Sequence, residues 1–197
     1  ITILDPLILT PTVTTPVSCA TNDGVVSVST IGGSGNYVYN IDGGAYALVA
    51  SFPNLASGPH IIGVRDTTTL CDVFATITLQ AATEITGFDL ATTPVTCYGE
   101  FDGTITATMF TPAPGVNDNP VYTYTLTGTS ITGTVLNLGP QDSPLFSGLE
   151  ASDVNGYTVV VTSARNCDET KTIVVTQPAP IVVPAPTVVQ FACTTGN

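Results

Sequence analysis

Few side chains in this sequence could carry out catalysis. A nucleophilic serine or cysteine needs a nearby base, and the only histidine is His60, at the start of an apolar segment. The five cysteines form no CxxC pair, so a zinc site has too few candidate ligands. We therefore expect a protein that is not an enzyme, in which His60 is an ordinary surface or strand-edge residue.

Acidic residues in predicted turns are the remaining candidates for chemistry. Carboxylate oxygens are ligands that Ca²⁺ prefers, and loops at one end of a folded unit could bring several of them together. The candidates lack the DxDxDG spacing of a calcium loop, so solvated turn residues are the competing interpretation. We expect no cofactor apart from this calcium candidate, which involves Asp23, Asp72, Asp102 and Asp168.

Internal repetition organises the chain. The segment TTPVSC at 14–19 recurs as TTPVTC at 92–97, and YVY at 37–39 recurs as YTY at 122–124. An Asp-Gly pair precedes an alternating segment in both copies, as Asp23-Gly24 and as Asp102-Gly103. Such self-similarity indicates two homologous units. The second unit differs by an insertion at 127–144, which we interpret as an extra hairpin or a variable loop.

The repeat also assigns each of the five cysteines to a unit. Each unit has one cysteine before its first long strand and one after its penultimate strand. Four predicted strands, one of them at 46–52, separate the two in the first unit, and an even number of antiparallel passes returns the chain to the end that it left. We therefore expect two disulfides within units, with a fully reduced protein as the alternative. The expected pairs are Cys19 with Cys71 and Cys97 with Cys167, and Cys193 stays unpaired as the first cysteine of a further unit.

Composition and charge restrict the fold class and the partners. Hydrophobic residues make up 43% of the 197 residues and charged residues only 9%. Abundant threonine and valine favour strands, whereas good helix formers are scarce. The 15 acidic residues outnumber three basic ones, for a net charge of −12, so nucleic acid and anionic membranes are unsuitable partners. Solubility alone is the simpler interpretation of this charge.

The predicted elements are short strands between turns. Residues 25–30 alternate between apolar and polar side chains, as expected for a sheet with one buried face. Turn signals such as Asn22-Asp23-Gly24 and Asp42-Gly43-Gly44 separate the strands. Six or seven strands per unit predict an all-β chain of tandem immunoglobulin-like antiparallel β-sandwiches. The absence of tryptophan argues against an antibody-type domain.

The predicted boundaries describe part of a longer array. Residues 1–9 are expected to be the closing strand of a preceding repeat, 10–83 the first sandwich and 84–178 the second. Residues 179–197 are expected to combine a proline-rich linker, stiff because proline restricts φ, with the opening of a following repeat. No apolar run approaches the ~20 residues that span a bilayer. We expect a semi-rigid rod whose partners are neighbouring repeats of the same chain.

Together these motifs resemble a known family. A cysteine, an Asp-Gly pair before a Thr/Val strand, a Gly-rich turn, Tyr-x-Tyr, Leu-x-x-Gly and a strand ending in a cysteine are similar to the SprB repeat of Bacteroidota surface adhesins. The resemblance covers residues 10–178. It implies a large filamentous protein at the outer cell surface, associated in gliding species with movement over a substrate. Asp66-Thr67-Thr68 also resembles the O-glycosylation sequon of Bacteroidota, which makes Thr67 a candidate acceptor, and a plain turn is the alternative.

Three functions follow from the expected form. The first is a stalk or adhesive rod of an extracellular surface adhesin or filament, with surface glycans or the substratum as further candidate partners. The second is a filament-forming subunit, in which residues 1–9 or 182–191 complete the sheet of a neighbouring copy. The third is a carbohydrate-binding module of a secreted enzyme, for which seven Tyr, seven Phe and no Trp offer few aromatic platforms.

Overall fold

The computed structural model describes residues 4–20, 22–110, 122–187 and 189, and these form two β-sandwich units. In the first unit the strands are β1 (Ile8–Thr15), β2 (Gly24–Ile31), β3 (Tyr37–Ile41), β4 (Ser51–Leu55), β5 (Gly58–Asp66) and β6 (Asp72–Leu79). In the second they are β7 (Phe88–Thr93), β8 (Gly103–Met109), β9 (Tyr122–Ser130), β10 (Val135–Gln141), β11 (Leu145–Leu149), β12 (Ser152–Ser163) and β13 (Asp168–Ile173).

Both units have the same arrangement of sheets. The first packs a β1-β2-β4 sheet against a β3-β5-β6 sheet, and the second packs β7-β8-β11 against β10-β9-β12-β13. Every strand pair is antiparallel. Two antiparallel sheets with this strand order form an immunoglobulin-like sandwich. The predicted fold class is confirmed.

Each unit buries its own core between its sheets. The tyrosines that end the Tyr-x-Tyr motifs, Tyr39 and Tyr124, occupy equivalent buried positions on β3 and β9. Burying one large aliphatic side chain contributes about 1.5–3 kcal/mol, so truncating any central core residue would cost a large part of a unit's stability. The largest fully buried side chains are Val26, Ile62, Val64 and Leu79 in the first unit and Phe88, Val95, Ile105, Leu126, Leu149, Tyr157, Val159 and Val161 in the second.

The first unit begins before residue 10. Strand β1 starts at Ile8, and the side chain of Leu9 belongs to the first core. Gly33 also donates a backbone hydrogen bond of 2.9 Å to the carbonyl oxygen of Asp5. Residues 5–9 therefore complete this unit's own sheet and core, and the predicted boundary at residue 10 is too late. Residues 1–3 lie outside the described residues.

The segment predicted as one strand at 46–52 has a different structure. Ala47 forms an isolated bridge with Tyr39, at the edge of the β3-β5-β6 sheet. The chain then crosses to the other sheet, where β4 pairs with β2. Leu48, at the crossing, is 84% exposed. The alternation of apolar residues therefore does not mark a continuous strand, because its two halves belong to different sheets.

The insertion of the second unit is a hairpin. Strand β10 pairs with β9 and extends the sheet by one edge strand. Gln141 on β10 pairs with Tyr124, as Ala47 pairs with Tyr39 in the first unit. The hairpin thus lengthens a contact that the first unit makes through a single bridge. Of the two interpretations of residues 127–144, the extra hairpin is confirmed.

The residues after β13 carry no strand where the structure describes them. Residues 174–187 and 189 lack regular secondary structure, which agrees with a proline-rich linker. The rest of the predicted following repeat, including Cys193, lies outside the described residues. Among the described residues, no helix has the length and apolarity needed to cross a membrane.

Candidate functional site at the junction of the two units

The two units are joined by a disulfide as well as by the chain. Cys19 lies in the β1–β2 loop of the first unit, and Cys167 lies in the β12–β13 turn of the second. The two residues are 148 positions apart in sequence, with their Cα atoms 5.0 Å apart. We call the end of a unit that carries the β1–β2 or β7–β8 loop its opening end, and the end that carries the β5–β6 or β12–β13 turn its closing end. The opening end of the first unit thus meets the closing end of the second.

This connection differs from the expected pairing of Cys19 with Cys71 and of Cys97 with Cys167. Cys71, in the β5–β6 turn, and Cys97, in the β7–β8 loop, are free, exposed thiols in the structure. Cys193 lies outside the described residues. The expected disulfides within each unit are corrected to one disulfide between the units.

The path of the chain explains the difference. Strands β2 and β3 run from the opening end to the closing end and back. The chain then reaches Ala47, half-way along β3, changes sheets and returns to the opening end as β4. Strand β5 makes one further pass, so that Asp66 pairs with Tyr37 at the closing end. Cys71 and Cys19 therefore lie at opposite ends of the unit, because the stretch counted as a full strand reverses midway.

Arg165 makes a second connection at the junction. Its buried guanidinium donates from Nε to the carbonyl oxygen of Val17 (2.7 Å) and from Nη2 to that of Gln80 (3.1 Å). Its own carbonyl oxygen accepts a hydrogen bond from the backbone of Cys19 (2.9 Å). A planar guanidinium holds two acceptors in a fixed geometry. Arg165 therefore binds the β1–β2 loop and the segment after β6 of the first unit to a turn of the second.

Sequence reasoning missed the role of Arg165, although a signal was present. The chain has only three basic residues, and each has a partner inside the protein. Arg65 forms a bidentate ion pair with Asp72, with both N···O distances 2.7 Å. Lys171 lies 3.4 Å from a carboxylate oxygen of Asp89. Basic residues that are this rare in an acidic chain indicate specific contacts, and only the one at the junction joins two units.

The Asp-Gly motifs build the loops that carry the opening cysteines. Asp23 accepts a hydrogen bond from the backbone N–H of Ser18 (2.8 Å), and Asp102 accepts one from that of Thr96 (2.9 Å). The hydrogen bonds from the Ser18 and Thr96 side chains lower the pKa of the two carboxyls, with the backbone N–H groups as a further cause. In each unit the aspartate therefore fixes the residue just before Cys19 or Cys97.

The four calcium candidates are not gathered into one site where the structure describes them. Asp23 and Asp102 cap separate loops, and Asp72 pairs with Arg65, which lowers the Asp72 pKa through its hydrogen bonds. Asp168 is exposed at the start of β13. The described residues contain no cluster of three or more His, Cys, Asp or Glu side chains suited to a metal ion. These carboxylates act as turn and strand-pair residues.

Both ring nitrogens of His60, near the start of β5, have hydrogen-bond partners in the first unit. Its Nδ1 lies 2.7 Å from a carboxylate oxygen of Asp42, and its Nε2 lies 3.0 Å from the carbonyl oxygen of Ala56. Both partners accept hydrogen bonds, so the doubly protonated ring satisfies both. The hydrogen bond to Asp42 is the main cause of a raised His60 pKa, with the Ala56 carbonyl as a second cause. This arrangement stabilises the imidazolium and suits a structural role better than that of a general base.

Thr67 lies on an exposed turn. The preceding Asp66 is buried and accepts hydrogen bonds from the backbone and hydroxyl of Ser34 and from the backbone of Thr68 and Thr69. These bonds hold the Asp66 pKa far below its usual range. The aspartate of the candidate sequon thus supports the turn, and Thr67 faces solvent. Glycosylation of Thr67 stays a prediction.

Comparisons with known proteins agree with this description. The family described as SprB repeat matches residues 12–46 and 90–130, one segment in each unit. No curated protein matches the chain in sequence.

Two solved structures are similar in overall form. The three N-terminal domains of the bacteriophage RB49 Highly Immunogenic Outer Capsid protein (Hoc) are 15% identical, with a TM-score of 0.47, over 86% of this chain and 58% of that one. Domains A168-A170 of titin are 13% identical, with a TM-score of 0.33, over 75% and 57%. The chain thus spans less than two thirds of either structure. The two family matches confirm the resemblance of both units to the SprB repeat.

Proposed function

We propose that this chain is a non-catalytic segment of the stalk of an extracellular bacterial surface adhesin, in which successive sandwiches are held end to end. The observation that carries the proposal is the junction. A disulfide between Cys19 and Cys167 and a buried guanidinium of Arg165 connect the opening end of one unit to the closing end of the next. A stalk needs such connections, because units joined only by a flexible linker would not stay aligned along one axis.

Restricted motion at the junction is the physical basis of the proposal. Sandwich domains joined only by a linker move relative to each other unless a large interface holds them. Here Val17, in the β1–β2 loop, and Gln80, directly after β6, are hydrogen-bonded to the same side chain of the second unit. The covalent link adds a second fixed point. Two such points limit both bending and rotation.

Composition and family support an extracellular location. Disulfides form and persist in oxidising compartments, and a net charge of −12 keeps a crowded surface protein soluble. The resemblance to the SprB repeat implies a surface adhesin of Bacteroidota and an association with gliding motility. In that setting this segment holds the adhesive end of the protein away from the cell surface. Parts of the protein at the end of the stalk would bind surface glycans or the substratum.

The strand-addition alternative has less support. In this alternative the first residues pair with another copy, yet Ile8 pairs with Ile31, and Leu9 with Thr30, inside the same chain. The carbohydrate-binding alternative has no observation in its favour beyond scattered exposed aromatic residues. We therefore retain the stalk as the function.

Small-angle X-ray scattering tests the proposal on a parent chain in which Cys71, Cys97 and Cys193 are replaced by serine, so that no disulfide forms between copies. We expect an elongated monomer with one dominant shape. The double variant Cys19→Ser, Cys167→Ser and the variant Arg165→Gln should each broaden the distribution of maximum dimensions, because one fixed point is lost. Lys171→Gln is the matched control, since the contacts of Lys171 lie within its own unit, and it should scatter like the parent chain.

Two results would contradict the stalk. One is self-association of the parent chain into higher oligomers without any disulfide between copies, which strand addition requires. The other is a scattering profile of two units that move independently, with no change in the junction variants.

A further inference from the structure

We propose that Cys97 and Cys71 form disulfides with neighbouring units of the same kind, so that the bond between Cys19 and Cys167 recurs along an array. In this arrangement Cys97 bonds to the β12–β13-type turn of one neighbour. Cys71 bonds to the β1–β2-type loop of another. The inference deepens the proposed stalk and rests on it.

The loop of Cys97 is built like the loop of Cys19. In both, a buried valine of a Pro-Val pair, Val17 or Val95, anchors the loop in its unit's core. The residue after the valine is held by the aspartate of the Asp-Gly motif, with N···O distances of 2.8 Å in the first unit and 2.9 Å in the second. The cysteine follows directly. The same supports therefore present both thiols at the opening ends.

The turn of Cys71 ends in the same way as the turn of Cys167, although it is one residue longer. The residue before the cysteine has a left-handed backbone in both, with φ of 60° at Leu70 and 54° at Asn166. This conformation is uncommon for leucine, so its recurrence indicates that the two turns present their cysteines in the same way. The cysteine carbonyl closes both turns by accepting a backbone hydrogen bond, from Asp66 (3.0 Å) to Cys71 and from Ser163 (2.9 Å) to Cys167.

The direction of the units places the free thiols at the two outer ends. The first unit uses its opening end at the existing junction, so Cys71 lies at its opposite, closing end. The second unit uses its closing end, so Cys97 lies at its opposite, opening end. Repeating the same head-to-tail contact in either direction brings an opening cysteine to a closing one. The geometry therefore leaves Cys71 and Cys97 without partners among the residues that the structure describes.

Exposed apolar side chains lie near the free thiols in sequence. Leu70, next to Cys71, is 72% exposed, and Tyr98 and Phe101, in the loop of Cys97, are 58% and 62% exposed. Cys167, at the junction that is formed, is only 3% exposed. The equivalence of these two ends to the ends joined at the Cys19–Cys167 disulfide points to another unit as the occupant.

One difference separates the outer ends from the formed junction. The first unit has Thr69 at the position of Arg165, two residues before the cysteine. A junction at Cys71 would therefore lack the guanidinium and depend on the disulfide and apolar contacts. This makes its covalent bond more important for holding the two units.

The bond forms by thiol–disulfide exchange. Two thiols, one from each unit, lose two protons and two electrons and become one disulfide. A disulfide oxidant, such as oxidised glutathione or a disulfide-bonded oxidoreductase, takes up these electrons and protons and is released as two thiols. The atoms and electrons of the exchange balance without any further cofactor.

A pairing experiment with two variants tests the proposal, with a second copy of the chain as the neighbour. Both carry Cys193→Ser. One also carries Cys71→Ser and retains the Cys97 thiol, and the other carries Cys97→Ser and retains the Cys71 thiol. Each is incubated alone and in a mixture in a buffer of oxidised and reduced glutathione. Non-reducing electrophoresis and peptide mapping then measure the dimers.

We expect the mixture to form a Cys71–Cys97 heterodimer at about tenfold or more above either homodimer, because docking of complementary ends favours that pair. Adding Tyr98→Asp to the variant that retains Cys97 should remove the excess without removing the thiol. Statistical pairing of the thiols, the absence of dimers or an unchanged excess with Tyr98→Asp would each overturn the inference. If the chain still scatters as a stiff monomer, only the inference fails and the proposed stalk stands.

Discussion

His60 of the first unit lies at the position that Tyr157 occupies in the second. His60 pairs with Ile77 on β6, and Tyr157 pairs with Ile173 on β13, at equivalent points of the two sheets. Both side chains reach back to a carbonyl oxygen before their strand. The His60 Nε2 lies 3.0 Å from that of Ala56, and the Tyr157 hydroxyl donates to that of Glu150 (3.2 Å). Such a tyrosine corner is common in immunoglobulin-like sandwiches, and here a histidine replaces it in one repeat.

The first prediction concerns the His60 pKa. Because Asp42 and the Ala56 carbonyl both stabilise the imidazolium, we expect a pKa above the ordinary value of 6.5. The chain has one histidine, so a single imidazole resonance in an NMR titration reports it. Asp42→Asn should lower the pKa, since the Asp42 hydrogen bond is the largest cause of the shift. A pKa at or below 6.5 in the unmodified chain would contradict this description.

A pH dependence of stability follows from the same shift. The contribution of His60 is fully present below pH 6.5, its ordinary pKa, and is lost as the pH rises through the higher pKa of the folded state. Asp42 has a lowered pKa, so its contribution is lost only as the pH falls below its ordinary value of 3.8. The melting temperature of the first unit should therefore fall between neutral and mildly alkaline pH. His60→Tyr, which installs the second unit's residue, should abolish that fall.

The second prediction concerns the corner of the second unit. Tyr157→Phe removes the donor to the Glu150 carbonyl in a buried position. An unsatisfied buried acceptor should lower the free energy of unfolding by about 1 to 2 kcal/mol, measured by denaturant unfolding. Tyr98→Phe is the control, since Tyr98 is exposed and its change should be near zero. Equal effects of the two changes would argue against a tyrosine corner.

The third prediction concerns the glycine of each Asp-Gly motif. A Cβ at Gly24 would lie 2.4 Å from a methyl carbon of Leu79, and one at Gly103 would lie 2.9 Å from the carbonyl oxygen of Leu149. Gly24→Ala and Gly103→Ala should each destabilise their unit by about 1 to 3 kcal/mol through overpacking. Gly44→Ala is the matched control, with a single close contact, to the Ile41 carbonyl oxygen at 3.1 Å. Calorimetry that shows no larger loss at Gly24 than at Gly44 would refute this role.

The fourth prediction concerns Thr67. The residue is exposed on a turn supported by Asp66, so a glycosyltransferase could reach its hydroxyl. We expect an O-glycan at Thr67 in protein from a Bacteroidota host and none in protein from a heterologous host. Intact-mass and peptide mass spectrometry decide the matter. An unmodified Thr67 peptide from the native host would rule out the site.

The fifth prediction concerns calcium. Asp23, Asp72 and Asp102 each have a protein partner, so binding a cation would disrupt existing contacts. The melting temperature should differ by less than about 3 °C between millimolar Ca²⁺ and a chelator. A larger shift, reduced by Asp23→Asn or Asp102→Asn, would reveal a specific site.

The sequence by itself determined the two units and their fold class. Strand period, turn residues and the recurrence of Asp-Gly and Tyr-x-Tyr are local features, and local features repeat when the local structure repeats. The equivalence of Tyr39 with Tyr124, and of the loops before Cys19 and Cys97, could therefore be predicted from the pattern alone.

The tertiary structure alone decided how the cysteines pair. Pairing depends on which end of a sandwich each loop reaches, and one reversal, near Ala47, changes that end for every residue after it. The local sequence does not show this reversal. Apolar and polar residues alternate in the same way in one continuous strand and in two short segments that belong to different sheets. The role of Arg165 depends likewise on which unit's end meets the next, since its partners, Val17 and Gln80, lie 148 and 85 residues away in sequence.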